Sequence, residues 1–198
     1  MPIFLTFVLL LSSLLFAHGG GVSANPSFGF TEGFKHPIMG LDHLLAMLCV
    51  GMISARIGKN AIWQVPLCFV TVMAMGCVIG FYGTNLNWIE LLISCSVIVF
   101  GVLFIFPNAL SLKNTLLTVA VFAVVHGYAH GKEMPIFVLP EIYIMGFMVS
   151  TITIHVMGVV FGDKINQLPE AHSLCKIIGY SLIISGTIIL IAQLPLFN

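Results

Sequence analysis

The chain has 198 residues, 59% of them hydrophobic and only 7% charged, with a mean hydropathy of +1.12; a soluble domain carries roughly 25% charged residues. Seven Lys/Arg balance seven Asp/Glu, which excludes a basic nucleic-acid surface and an acidic solvating tail. This is a membrane composition without an internal linker, so a single all-α integral membrane domain is expected.

In chain order, residues 3 to 17 form the apolar run IFLTFVLLLSSLLFA. Its 15 residues fall short of the roughly 20 that span a bilayer, and small, turn-forming residues follow. The pattern is that of a signal peptide over 1–17, although no positive residue precedes the apolar core; an uncleaved anchor is the alternative. Cleavage after Ala17 leaves His18 as the mature N-terminus, whereas cleavage after Ala24, in Val22-Ser23-Ala24, discards it.

Residues 18–198 then read as a compact bundle of six transmembrane helices, spanning about 37–57, 61–83, 87–106, 112–130, 138–162 and 173–194. Backbone groups in hydrocarbon must be satisfied within their own segment, and the runs lack the alternation of barrel strands. The turns between them are Gly58-Lys59-Asn60, Gly83-Thr84-Asn85, Pro107-Asn108, Gly131-Lys132-Glu133 and Gly162-Asp163-Lys164. Arg56, Lys59, Lys113, Lys164 and Lys176 fall on one side of this layout and only Lys35 and Lys132 on the other, so the first set is expected in the cytoplasm. Both the processed N-terminus and the C-terminus are then outside the inner (plasma) membrane. Gly76-x-x-x-Gly80 and Gly158-x-x-x-Gly162 predict close helix approach.

Ionisable groups inside such spans are costly unless paired, which makes them functional candidates. The first span opens on His36-Pro37-Ile38-Met39-Gly40-Leu41-Asp42-His43. If it is one helix, with Pro37 in its first turn and Gly40 making room for a neighbour, His36 and His43 lie about two turns apart on one face. Asp42 is then a ligand, an orienting partner or a proton acceptor. In the fourth span, His126-Gly127-Tyr128-Ala129-His130 places two imidazoles at i and i+4, with Glu133 at i+7 if the helix continues. No carboxylate stands between these histidines, so the hydrolytic zinc motif is absent. Both groups sit near the outer ends of their spans, where they can form one metal site. Core histidines bonded to carbonyls are the competing reading for any single residue, and four at ligand spacing and matched depth weigh against it. His155, deeper in the fifth span, reads as an inner relay or a packing residue. Glu90 reads as reaching water, Glu141 is left open, and His172 is expected in solvent. Cys49, Cys68, Cys77, Cys95 and Cys175 make no C-x-x-C pair and read as buried hydrophobes; the ten methionines are scattered.

Through HPIMGLDHLLAMLCVG at 36–51 and FAVVHGYAHGKE at 122–133 the sequence resembles the HupE/UreJ family of nickel and cobalt permeases. The resemblance extends to the signal-like segment and six spans. It implies uptake of nickel or cobalt for metalloenzymes, with ligation by His36, Asp42, His43, His126, His130 and Glu133. It also implies a contribution from His18 if the first cleavage holds. Imidazole with carboxylate suits borderline divalent ions. No G-x-x-x-x-G-K-[ST] pattern occurs, so secondary or facilitated transport is expected, without a prosthetic group; a homo-oligomer or an energising partner is compatible. The competing functions are an intramembrane zinc-dependent hydrolase and a haem-binding electron carrier.

Overall fold

The computed structural model describes residues 26–106 and 111–194. The signal-like segment 1–17, both cleavage points, His18 and the Pro107-Asn108 turn lie outside the described residues. Every regular element described is a helix: α1 Pro26–Met39, α2 Leu41–Ile57, α3 Ala61–Tyr82, α4 Ile89–Ile105, α5 Leu112–Lys132, α6 Pro140–Asn166 and α7 Ala171–Ala192.

Local signals set several of these ends. Gly58 (φ 73°) and Lys59 (φ 50°) make the left-handed turn between α2 and α3. The Ser111 side chain accepts from the Asn114 backbone N–H and caps α5. Pro140 occupies the first turn of α6, where its missing N–H costs nothing. Gly162-Asp163-Lys164 does not end α6, which continues to Asn166. There Gln167 Nε2 donates to Asp163 Oδ2 one turn back, and Asn166 Nδ2 donates to the Ala55 carbonyl of α2, so polar residues prolong the helix.

The largest departure concerns the first expected span, which consists of two helices meeting at a bend of 80°. Pro37 lies in the last turn of α1, not the first turn of a single helix. Lacking an N–H, it removes a helical hydrogen bond just before Gly40, whose extended backbone (φ −82°, ψ 109°) starts α2 in a new direction. By length and composition α3, α5, α6 and α7 can each cross a membrane, and the α1–α2 pair supplies a fifth, broken span. The expected total of six is reached only by counting α4 as well. Its 17 residues reach ~25 Å, against a hydrocarbon core of about 30 Å.

The helices pack mainly as α3 on α5, α2 on α6, α4 on α7 and α1 on α6. Phe69, Phe100, Phe104, Phe147 and Tyr143 fill the interior. Large apolar side chains such as Trp63, Ile79, Leu117, Ile177 and Ile184 point outward, the pattern of helices facing lipid. Glycine sets the approach of α3 and α5: a Cβ at Gly127 would fall on the Met73 backbone, and one at Gly131 on that of Cys77. Gly76 and Gly80 meet Val124 and Tyr128 in the same interface, and Gly158 meets Leu48 and Gly51 where α6 crosses α2, as the small-residue spacings predicted. Cys49, Cys77 and Cys175 are buried free thiols, in keeping with their reading as buried hydrophobes, whereas Cys68 and Cys95 are free but only half-buried.

Candidate metal centre

The α1–α2 break and the C-terminal half of α5 face each other, and their histidines meet. His36 comes from the last turn of α1, Asp42 and His43 from the first turn of α2, and His126 and His130 from successive turns of α5. Ring centroids lie 4.8 Å apart for His36 and His130, 5.9 Å for His36 and His43, and 5.1 Å for His43 with each of His130 and His126. One nitrogen from each of His36, His43 and His130 falls within 4.8 Å of the others, a grouping able to hold a metal ion.

The convergence of His36 and His43 has a different cause from the one their spacing suggested. Seven residues of straight helix would separate them by ~10.5 Å along the axis; the bend at Gly40 brings the rings together instead. Conversely, the i, i+4 pair on α5 lies on one continuous helix as expected. That helix extends through Lys132 and leaves Glu133 as its C-terminal cap. Lys132 Nζ donates to the Gly83 carbonyl at 2.8 Å and the Tyr128 hydroxyl donates to the Thr84 carbonyl, anchoring the end of α5 to the α3–α4 connection.

Hydrogen bonds orient the rings. Asp42 Oδ1 accepts from the His43 backbone N–H at 2.9 Å and lies 3.0 Å from His43 Nδ1. With the proton on Nδ1, the lone pair of Nε2 is free. Likewise His126 Nδ1 donates to the Phe122 carbonyl at 2.9 Å, which frees its Nε2. His130 makes neither bond and stacks flat on Phe147, with centroids 4.7 Å apart. His43 Nε2, His126 Nε2 and both nitrogens of His130 are buried without hydrogen-bond partners among the described residues. A buried unsatisfied polar group costs about 1–3 kcal/mol, so such a concentration fits a donor set for a cation better than ordinary core packing.

At the more open end, His36 Nε2 lies 2.7 Å from Glu133 Oε2, with the two side chains 26% and 41% exposed. Burial works to raise the Glu133 carboxyl, but the His36 hydrogen bond and the neighbouring charges of His36 and His43 outweigh it and hold the group below its usual value. The six residues His36, Asp42, His43, His126, His130 and Glu133 therefore share one region. Glu90, read from sequence as reaching water, instead brings its carboxylate beside that of Glu133, with Oε1 shielded from solvent. An acidic residue in the first turn of an apolar helix, at the same expected membrane depth as Glu133, was the available signal.

His155 lies apart from the cluster, buried on α6 with neither ring nitrogen paired among the described residues. The buried Phe69 ring of α3 stands between it and His126, 5.4 Å from the His126 centroid and 5.1 Å from that of His155. His155 also borders a cavity of about 330 Å³ lined otherwise by apolar side chains such as Trp63, Pro66, Val70 and Ile152. Glu141 lies in the first turn of α6, and His172 is exposed as expected.

The family model described as "HupE / UreJ protein" matches residues 6–189. "Protein HupE" from Rhizobium leguminosarum bv. viciae is 37% identical over 151 residues, covering 76% of this chain and 77% of that relative. No solved structure matches the chain.

Proposed function

Because the chain belongs to the HupE / UreJ protein family, a family of nickel and cobalt permeases, we propose that it takes up nickel or cobalt through the imidazole cluster and supplies metalloenzymes with it. The observation that carries this reading is the gradient of burial along closely spaced rings. It begins at the partly exposed His36 and Glu133, continues through the nearly buried His43, and ends at the fully buried His130 and His126. In this reading the carboxylates at the mouth collect the hydrated ion, and the imidazoles replace its water one donor at a time. Borderline divalent ions accept nitrogen and oxygen donors of this kind.

His155 is the next station on this route. An ion leaving His126 reaches it only when the intervening Phe69 ring turns aside, which makes that ring a septum between an outer and an inner site. The charge pattern of the loops supports an outer-half position for the cluster in the inner membrane, with both mature termini outside. Transport is facilitated or coupled to another gradient.

The test is nickel and cobalt uptake into proteoliposomes with His43→Ala and His126→Ala. Loss of a ligand costs the ion a coordination bond, and even an orienting partner is worth about 10–100-fold in metal affinity. Each variant should reach the membrane normally and lose at least about tenfold in initial rate at low metal concentration. Wild-type rates in both would rule out the cluster as the transport site.

A further inference from the structure

Asp42 has a second partner, at the far end of the chain. Its Oδ1 is occupied by His43, while Oδ2 faces Gln193 Nε2 at 3.5 Å. Gln193 caps the C-terminus of α7, and its Oε1 accepts a hydrogen bond of 2.9 Å from the buried Ser94 hydroxyl of α4. The direction of this chain is fixed by chemistry. An ionised carboxylate only accepts, so the amide must turn its NH₂ toward Asp42 and its oxygen toward Ser94.

We infer that Gln193, held by Ser94, is a positioning residue for the metal site: it fixes the Asp42 carboxylate so that His43 keeps its proton on Nδ1 and presents Nε2 to the ion. The inference rests on the reading of the cluster as the transport site and extends it to two helices, α4 and α7, that contribute neither of its histidine pairs. A carboxylate that orients a ligating histidine is a recurrent device in metal sites, and loss of such outer partners weakens metal binding by about 10–100-fold. At 3.5 Å the link from Gln193 to Asp42 is at the long end of hydrogen bonding. The expected effect is therefore at the lower end of that range.

The experiment measures initial rates of nickel uptake against nickel concentration in proteoliposomes carrying the full chain. Gln193→Leu keeps the side-chain bulk but removes the amide, and should raise KM about tenfold with Vmax little changed. Ser94→Ala frees the amide without altering its chemistry, so a smaller rise is expected, and this conservative change keeps the test alive if Gln193→Leu does not reach the membrane. The double variant Asp42→Asn with Gln193→Glu exchanges the two groups while preserving every hydrogen bond. The new amide at position 42 still accepts from His43 and donates to the new carboxylate at 193, which still accepts from Ser94. In Asp42→Asn alone the Gln193 amide must flip, turning its oxygen to the new amide and its NH₂ to the Ser94 hydroxyl, and the carboxylate is lost from the network. The double variant restores a carboxylate beside the position-42 amide and should recover affinity relative to Asp42→Asn. A purely structural role for Gln193 would not produce that recovery. Unshifted KM in both Gln193→Leu and Ser94→Ala, or a double variant no better than Asp42→Asn, would overturn the inference while leaving transport intact. Absence of saturable uptake by the wild-type protein would instead defeat the transport reading itself.

Discussion

The two sides of the imidazole cluster rest on opposite kinds of backbone. His126 and His130 ride on an uninterrupted helix pressed against α3 through Gly127 and Gly131, whereas His36 and His43 flank a break that turns the chain by 80°. A straight helix presents donors one turn apart on a single face, and it cannot direct donors two turns apart at one point. The break accomplishes this on the other wall. One wall therefore sets where the site is, and the other sets how far the remaining donors reach into it.

This comparison can be broken most severely from the α5 side. At Gly127 a side chain would collide with the backbone of Met73, which cannot swing away as a flexible side chain can. Overpacking a tight interface costs about 1–3 kcal/mol, and more where backbone must move. Gly127→Val should therefore separate α3 from α5, lower the thermal stability of the purified protein and deplete it from the membrane. Normal levels and stability would show that the glycine contact is not what fixes this wall.

At the break the same kind of change should act differently. Gly40 has backbone angles that alanine adopts freely, so Gly40→Ala has no conformational reason to unfold the chain. Its Cβ would, however, lie 2.9 Å from His43 Nδ1 and 3.4 Å from Asp42 Oδ1, inside the pair that orients the ring. Stability should stay close to wild type while apparent metal affinity falls several-fold, within the range of about 10–100 for disturbed outer partners. Circular dichroism melting beside a metal titration separates the two effects, and equal damage to both would erase the distinction between the walls.

The same contrast explains what was legible in the sequence. α3 and α7 lie within two residues of their expected limits, because long apolar runs punctuated by Gly, Asn and charge have one stable solution in a bilayer. The α5 pair was legible for a similar reason, since i, i+4 spacing on an unbroken helix fixes a common face. Composition could not reveal the bend, because the segment remains apolar through Gly40 and Pro37 is equally at home at a helix start. Glu90 and Gln193 were missed because a polar residue at the end of a span normally reaches water. Only the packing of α4 and α7 against the site turns them inward.

The smallest and most readily reversed perturbation is acid, and it probes the wall that reaches the mouth, where His36 is partly exposed and His126 and His130 opposite are fully buried. Neutral imidazole donates a lone pair to metal and protonated imidazole does not, so protons and metal compete for the same nitrogens. An ordinary imidazole takes up a proton near pH 6.5. As external pH falls through about 6.5, each proton that must be displaced weakens metal binding by up to about tenfold per pH unit. Uptake at subsaturating nickel should therefore fall between pH 7 and 5, recover on neutralisation, and be partly rescued by excess metal. Glu133, held below its usual value, keeps its charge through this range, so its protonation does not account for the decline. Uptake that is flat down to pH 5 would remove the partly exposed imidazole at the mouth from the rate-determining binding step.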